Sequence, residues 1–346
     1  MTQIPPAELR RILAEETGRP FDIAQRLGVP EAALVAAGAG QGVTRIDATL
    51  ARLIPAIQSL GEVMSLTRNR SCVIEKTGTY NDFHDGGHAA MTLDRNIDLR
   101  MFPKYWTHGF AVETPGENGV RRSVQVFDAA GDATHKVHLR PGSDLAAWDR
   151  LLRDLALTDQ SDNMEFAARA PVEGARIAAD RVETLREEWT RMTDTHQFNT
   201  LVRRLKMNRL GAYRSVGAPH ARPLASPAVQ TLFDRLLAEG LGVMIFVGNQ
   251  GCIGIHSGPI HSLKMMGPWL NVLDPGFNLH LREDHIAEVW TVHKPTKRGA
   301  AISVEAFDGE GALILQIFGL RAELGGDPDA WARLVADLPA RDTVAA

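Results

Sequence analysis

The strongest constraint on the fold is that the second half of the chain repeats the first. Residues 63–139 align without a gap to residues 243–319, and 17 of the 77 pairs are identical. Unrelated sequences would give about 6% by composition alone. The identical pairs include Asn69/Asn249, Cys72/Cys252 and Asp94/Asp274. The sequence therefore predicts a tandem duplication, with a first repeat at 1–157, a linker at 158–180 and a second repeat at 181–346.

Each repeat places helical patterns before strand patterns. Apolar residues recur at helical spacing in AELRRILAEE, FDIAQRLG and EAALVAAG, and their second-half counterparts lie in RVETLREEWTRM, HQFNTLVRRL and SPAVQTLFDRLLAEG. From Val63 and Val243 onward, short β-rich runs alternate with turn residues, as at 248–251 and 308–311. These antiparallel meanders predict an α+β fold rather than a parallel βαβ sheet.

Composition narrows the classes of protein that the chain can belong to. Its 346 residues are 44% hydrophobic and 23% charged, with a net charge of −4, which argues against non-specific nucleic-acid binding. No apolar run approaches the roughly 20 residues of a membrane span, and the start lacks an apolar signal core. We therefore expect a cytoplasmic protein. Its two cysteines, Cys72 and Cys252, are expected to be buried small residues rather than metal ligands or a disulfide.

A histidine stands at the start of one predicted helix but off its apolar face. Four apolar residues predict a single buried stripe: Phe198, Leu201, Val202 and Leu205. At about 100° per residue, His196 points to nearly the opposite side. Asp194 and Gln197 have the spacing of a capping box, which would make His196 the second residue of the helix and fix its backbone. Taken alone, the pattern fits an ordinary exposed histidine as well.

Other candidate motifs carry less information. The GAGQG stretch at 38–42 follows a helical pattern, not a strand, so we interpret it as a linker and not a phosphate loop. His84 and His88 in HDGGH flank two glycines, which favours a loop over a helical metal site and leaves an auxiliary metal or cofactor contact as the alternative. His135 and His138 fall on opposite faces of a predicted strand. The common hydrolase and kinase motifs do not occur in the sequence.

Residues needed only for folding should recur in both repeats, so unmatched residues indicate a function. At the head of the repeat the register drifts by about two residues, and His196 there corresponds to Gly18. Three cations of the second repeat also have no cation at the matching position of the first: Lys294 corresponds to Thr114, Arg321 to Pro141 and Arg209 approximately to Glu31. Conversely, Arg100 of the first repeat corresponds to His280 of the second. This asymmetry predicts one ligand site per chain, with a position between the halves as one option.

An imidazole on a rigid helix start together with long cations suits haem. The iron takes a histidine ligand, and the two propionates need arginine or lysine for charge-assisted hydrogen bonds. The residues alone leave a second interpretation open, because lysines and arginines at strand ends are usually solvated surface charges.

Longer segments strengthen the first interpretation by resemblance. The segment GPWLNVLDPGFNLHLREDHIAEVWTVHKPT at 267–296 closely resembles the cytoplasmic haemin-degrading and haem-trafficking factors of bacterial haem uptake, the HemS/ChuS/HmuS family. NIDLRMFPKYWTHGF at 96–110, DTHQF, the length and the duplication agree, so the resemblance covers nearly the whole chain. It implies that each half is a large antiparallel sheet with helices, and that haem lies in a cleft between the halves.

The resemblance also implies roles for individual residues. The family's axial iron ligand matches His196, its distal arginine matches Arg100, and its propionate and rim contacts match Arg209, Lys294, Gln316 and Arg321. Relatives often have a tyrosine where this chain has Phe318, so one hydrogen bond is expected to be missing. Some relatives carry extra histidines beside the axial one, and DTHQF does not.

Two functions follow from the resemblance. In the first, which we favour, the protein degrades haem oxidatively to an open tetrapyrrole and releases iron, with Arg100 and His196 as the catalytic residues. In the second, it carries haem from an uptake ABC transporter to a separate haem oxygenase. Both need an axial histidine and propionate contacts, so the distal arginine is the feature that favours chemistry. The expected partners are haem and, beyond it, a transporter, a reductase or an oxygenase, with no nucleic acid and no membrane span.

Overall fold

The computed structural model describes residues 4–117 and 119–341. Within these residues it contains ten α-helices and eighteen strands, and the strands form two antiparallel sheets of nine strands each. The α+β prediction is therefore confirmed. In the same residues, no helix is both long and apolar enough to cross a bilayer. The chain divides into a first unit (Met1–Arg68, Ile74–Ala170 and Gly248–Ile255) and a second unit (Asn69–Val73, Pro171–Val247 and His256–Ala346).

Within the described residues, the first half of the chain supplies five helices and nine strands. The helices are α1 Pro6–Glu15, α2 Pro20–Leu27, α3 Glu31–Ala36, α4 Leu50–Gln58 and α5 Leu145–Leu155. The strands are β1 Val43–Ile46, β2 Val63–Arg68, β3 Cys72–Gly78, β4 Phe83–His84, β5 Ala90–Leu93, β6 Asp98–Met101, β7 His108–Gly116, β8 Gly119–Phe127 and β9 Ala133–Leu139. Residues 157–178 follow α5 and contain neither a helix nor a strand.

The second half supplies the same number of elements. The helices are α6 Val182–Thr190, α7 Gln197–Arg204, α8 Arg209–Val216, α9 Ala228–Glu239 and α10 Pro328–Ala336. The strands are β10 Ala221–Leu224, β11 Val243–Gly248, β12 Cys252–Gly258, β13 Lys264–Met266, β14 Trp269–Asp274, β15 Phe277–Arg282, β16 Glu288–Thr296, β17 Gly299–Phe307 and β18 Leu313–Gly319. The turns predicted at 248–251 and 308–311 are confirmed, because each separates two paired strands.

Strand order repeats between the units, as a duplication requires. The first unit contains the antiparallel series β1-β7-β8-β9-β2, and the second contains β10-β16-β17-β18-β11. Val43 lies opposite Val112 in the first series, and Ala221 lies opposite Val292 in the second. Between β1 and β10 the offset is 178 residues (221 − 43), and between β2 and β11 it is 180 (243 − 63). The structure thus confirms both the duplication and the two-residue drift.

One helix pairing predicted from the sequence is wrong. The pattern EAALVAAG, now α3, was expected to correspond to α9, but an offset of 178 places α3 against α8 and α4 against α9. Four helices are missing from the prediction: α4, α5, α8 and α10. Two of them contain a residue that weakens a helix, since Pro55 lies inside α4 and Gly211 lies in α8. Tertiary packing overrides both, since Leu53 and Ile54 of α4 are fully buried, and so are Ala212 and Tyr213 of α8.

The repeated asparagines at the strand turns have the same local role in the two units. Asn249 accepts the backbone N–H groups of Gly251 and Cys252 through its side-chain oxygen, and it donates to the carbonyl of Arg68 at 2.8 Å. Asn69 likewise accepts from the backbone of Cys72 and donates to the carbonyl of Ile314 at 2.8 Å. Both cysteines that follow are buried with free thiols, as the sequence predicted.

Candidate functional site

His196 lies on a loop whose backbone is fixed by hydrogen bonds. The Asp194 carboxylate accepts the backbone N–H of His196 at 2.7 Å, and the Gln197 side-chain oxygen accepts the N–H of Thr193 at 2.8 Å. Gln197 also accepts the N–H of Asp194 at 3.3 Å, but the N-cap of α7 is His196, which has no side-chain cap, so the prediction that Asp194 caps the helix and that His196 is its second residue is wrong. The helix α7 begins at Gln197, one residue after His196, rather than before it. The histidine is exposed, as predicted.

A second contact holds the same loop from the sheet side. The backbone N–H of Lys297, in the turn between β16 and β17, donates to the carbonyl of Thr193 at 3.0 Å. The loop is therefore tied at one end to α7 and at the other to a hairpin of the second unit. An imidazole on such a loop is presented to solvent with little backbone freedom.

Helix α7 buries the stripe that the sequence predicted. Phe198, Leu201, Val202 and Leu205 are all at most 6% exposed. The Phe198 ring packs against Trp189 with centroids 5.0 Å apart and stacks on Tyr213 at 5.6 Å. The guanidinium carbon of Arg209 lies 5.3 Å from the Phe198 ring centroid, and the ammonium of Lys294 lies 4.8 Å from it. The helix that follows His196 is thus directly packed against two of the predicted site cations.

Those two cations share one buried carboxylate. Glu305 on β17 accepts from Arg209 Nη1 at 2.9 Å, from Lys294 Nζ at 3.0 Å, from the Tyr213 hydroxyl at 2.9 Å and from Ser303 Oγ at 2.9 Å. The Tyr213 hydroxyl in turn accepts from Arg209 at 3.0 Å and from Lys294 at 2.9 Å. The side chains of Glu305 and Lys294 are 0% and 3% exposed, whereas that of Arg209 is 25% exposed. We call these five residues the Glu305 cluster.

The cluster's charges are perturbed by burial and by one another. Burial alone would raise the pKa of Glu305, but the adjacent Lys294 and Arg209 cations lower it to about 2. Burial lowers the pKa of Lys294 to about 8, although Glu305 acts in the opposite direction. At neutral pH the cluster therefore holds two cations and one carboxylate, a net charge of +1 (+1 + 1 − 1).

Gln316 and Phe318 lie on the same sheet face as Glu305. In register, Gln316 on β18 is opposite Glu305 on β17 and opposite Phe246 on β11, while Phe318 is opposite Ser303. The Phe246 and Phe318 rings contact edge to face, with centroids 5.5 Å apart. Gln316 and both rings are only partly buried. An apolar, partly open surface with one amide therefore continues from the cluster.

Arg321 and Arg100 lie outside the Glu305 cluster. Arg321 is exposed and comes two residues after β18, where its carbonyl accepts the backbone N–H groups of Leu324 and Gly326. Arg100 belongs to the first unit, in β6, opposite Ile253 of β12. Its guanidinium forms an ion pair with Asp98 and donates to the Leu99 carbonyl at 2.9 Å, and its side chain is 30% exposed.

Sequence reasoning missed Glu305 and Tyr213. A signal for Glu305 was available, because its counterpart at an offset of 180 residues is Gln125, so the repeat position does not demand a carboxylate. The same signal was available for Tyr213, whose counterpart at the offset of 178 residues (213 − 178 = 35) is Val35, but it lies in the unpredicted helix α8.

Two of the remaining candidate histidines, His84 and His135, have local partners. His84 is exposed at the end of β4 and contacts Asp82 at 2.9 Å. His135 is buried, and its ring contacts the Tyr80 hydroxyl at 2.5 Å and the Thr67 hydroxyl at 3.0 Å. Burial and the nearby His138 lower the pKa of His135 to about 3, so it is a neutral part of the core. Within residues 4–117 and 119–341, no three His, Cys, Asp or Glu side chains are grouped as a metal site.

Comparisons with known proteins agree with this architecture. A family model described as the haemin-degrading HemS/ChuX domain matches residues 28–155 and again 206–338. The hemin transport protein HemS of Yersinia enterocolitica is 36% identical over 325 residues, covering 94% of each chain. The solved structure of holo-PhuS, a heme-binding protein from Pseudomonas aeruginosa, matches with a TM-score of 0.92 at 38% identity, covering 98% of this chain and 100% of that one. ChuS, described as an Escherichia coli heme oxygenase, matches with a TM-score of 0.85 at 33% identity, covering 95% and 98%.

Proposed function

Because the chain belongs to the haemin-degrading HemS/ChuX domain family, we propose that it binds haem and serves haem utilisation. The observation that carries the proposal is the position of His196, exposed on a fixed loop at the start of α7, whose Phe198 packs against the Arg209 and Lys294 cations. A neutral imidazole is a common iron ligand, and cations recognise the propionates of haem.

In this proposal the residues have distinct roles. His196 is the iron ligand, and Arg209 offers the exposed part of its guanidinium to a propionate. Gln316 and Arg321 are contacts at the rim of the haem. Lys294 is 3% exposed, so it contributes charge from within the cluster. Phe318 supplies an apolar surface where relatives often have a tyrosine.

We further propose that the protein degrades haem oxidatively, releasing iron and an open tetrapyrrole, in the cytoplasm and with an external reductant. Arg100 would supply a guanidinium on the distal side, and its pairing with Asp98 keeps that group oriented in the first unit. The carrier function remains the second candidate, since the similar HemS is described as a hemin transport protein and the similar PhuS as a heme-binding protein. An uptake transporter and a haem oxygenase would then be its partners.

Haemin titration of His196→Ala tests the binding proposal. The variant should keep its fold, because an exposed residue before a helix contributes little packing, while the Soret band of bound haemin should shift. His84→Ala is a matched control, since His84 is also exposed and lies in the first unit. A wild-type haemin spectrum in His196→Ala would exclude His196 as the iron ligand.

Arg100→Ala separates the two functions. If the protein is an enzyme, the variant should still bind haemin, and turnover under reductant and oxygen should fall by about 10²-fold, as for loss of one preorganised donor. Reactions are run with and without catalase, and the tetrapyrrole product is identified. If catalase abolishes cleavage and Arg100→Ala has no effect, free peroxide is the oxidant. Direct haem transfer to an added oxygenase, faster than spontaneous release, would then support the carrier.

A further inference from the structure

Both units contain a buried group of two cations and one carboxylate, but the carboxylate lies on a helix in the first unit and on the sheet in the second. In the first unit, Glu31 at the start of α3 pairs with Arg68 of β2 and with Lys136 of β9, the latter at 2.6 Å. In the second unit, Arg209 occupies the start of the equivalent helix α8, and the carboxylate is Glu305 on the sheet. The fold itself therefore accepts either arrangement.

Gln125 shows that the shared fold does not require an acid at the Glu305 position. Gln125 lies in β8 at an offset of 180 residues from Glu305 in β17, and both side chains are buried. The acid at 305 accompanies the unmatched residues of the second unit, including Arg209 and Lys294. Its presence is thus associated with the proposed ligand site and not with the repeated sheet.

Glu305 restricts how the Arg209 guanidinium can be used. Nη1 of Arg209 is engaged by Glu305 at 2.9 Å and by the Tyr213 hydroxyl at 3.0 Å. Among residues 4–117 and 119–341, the hydrogen-bond partner of Nη2 is the exposed Asn199, at a longer distance of 3.4 Å. Since the side chain is 25% exposed, the Nη2 side is the part that remains available to a ligand. A guanidinium held at one nitrogen presents the other in a fixed direction, which reduces the ordering cost of binding.

We propose that Glu305, together with Tyr213, is a positioning residue that makes the site select a ligand with a free carboxylate. The inference rests on the proposed function, in which that carboxylate is a haem propionate. Glu305 orients Arg209 and neutralises Lys294, so that the cluster keeps a net charge of +1. One ligand carboxylate balances that charge, and an uncharged ester does not.

The test compares haemin with haemin dimethyl ester, which has the same macrocycle and iron but no carboxylate. The wild type should bind haemin about tenfold to a hundredfold more tightly than the ester, as expected for one charge-assisted hydrogen bond. In the double variant Glu305→Gln/Lys294→Met the cluster still carries +1, because one anion and one cation are removed. Its preference for haemin should fall below about threefold, with the iron-histidine spectrum unchanged.

Glu31→Gln/Lys136→Met is the matched control, since it removes the same pair of charges from the repeat-related group in the first unit. It should retain the wild-type preference. Tyr213→Phe removes the bridging hydroxyl without changing charge and should reduce the preference severalfold, which provides a test if the double variant does not fold. Retention of the full preference in Tyr213→Phe, or in a folded double variant, would overturn the inference. Absence of any His196-dependent spectrum in the wild type would instead refute the proposed function.

Discussion

Removing the two side chains that fix the His196 loop should weaken haemin binding without removing the proposed iron ligand, His196. In Asp194→Ala/Gln197→Ala, the backbone N–H groups of His196, Thr193 and Asp194 lose their side-chain acceptors. The imidazole itself is untouched. We therefore expect the same iron-histidine spectrum at saturation but a higher dissociation constant, because the free loop must be ordered when haemin binds.

The size of the effect is taken from helix caps, because Asp194 and Gln197 accept backbone N–H groups of the loop as capping side chains do. Replacing a capping side chain by alanine costs about 0.5–2 kcal/mol, typically about 1. Two such losses amount to roughly 2 kcal/mol, which corresponds to a factor of about 30 in an equilibrium constant. The contact from Lys297 to the Thr193 carbonyl remains, so part of the loop order is retained. The dissociation constant should therefore rise between about fivefold and thirtyfold.

The assay is a Soret titration with haemin, accompanied by thermal unfolding. Asp144→Ala/Asp327→Ala is a matched control, because Asp144 caps α5 at 3.0 Å and Asp327 caps α10 at 2.9 Å. The control should lower the melting temperature to a similar degree and leave haemin affinity unchanged. If both double variants weaken binding equally, or if Asp194→Ala/Gln197→Ala binds within threefold of wild type, loop order is not what presents His196.

Three further predictions concern the rim, pH and packing. Arg321→Ala should weaken haemin binding less than about fivefold, because an exposed ion pair contributes about 0–1 kcal/mol. The effect should be smaller still at high salt, which screens exposed charges. Haemin titrations check this, with Arg298→Ala as a control at another exposed arginine. The stabilisation from Glu305, whose pKa is about 2 when folded against 4.5 ordinarily, is present above about pH 4.5 and should be lost as pH falls towards 2. Melting temperatures of wild type and Glu305→Gln should therefore converge in acid, where the carboxyl of Glu305 is protonated. Gly211→Ala should destabilise strongly, since its Cβ would come 1.9 Å from the Arg176 carbonyl oxygen, whereas Gly142→Ala meets no atom within 4 Å.

Features encoded by local patterns were predictable from the sequence. The buried stripe of α7 and the exposure of His196 both follow from helical periodicity, and the structure confirms them. The hairpin turns follow from Gly and Asn chemistry, and the duplication follows from self-alignment. Each of these depends on neighbours within about ten residues or on a fixed offset, which the sequence contains explicitly.

Features that depend on tertiary packing were not predictable. The sequence marked Lys294 as unmatched, but it could not indicate that the ammonium is 3% exposed and bound to Glu305, which is 11 residues away in sequence. A lysine in a strand can point into a core only when a carboxylate meets it there. The partner lies on the neighbouring strand, in a register that the turn at 297–298 sets and that periodicity alone does not define.

The opposite charges at two equivalent helix starts would account for a single anion site in a duplicated fold, as we propose. Glu31 is in the first turn of α3, where a negative charge is favoured by the helix dipole. Arg209 is the first residue of α8, where a positive charge is disfavoured by about 0.3–1 kcal/mol. Glu305 offsets this cost for Arg209 Nη1, but the second cation, Lys294, leaves the cluster with one positive charge in excess. A ligand carboxylate at the exposed side of Arg209 would remove that excess. The unfavourable charge at the start of α8 therefore lowers the stability of the free protein, and neutralising this charge would contribute to the free energy of ligand binding.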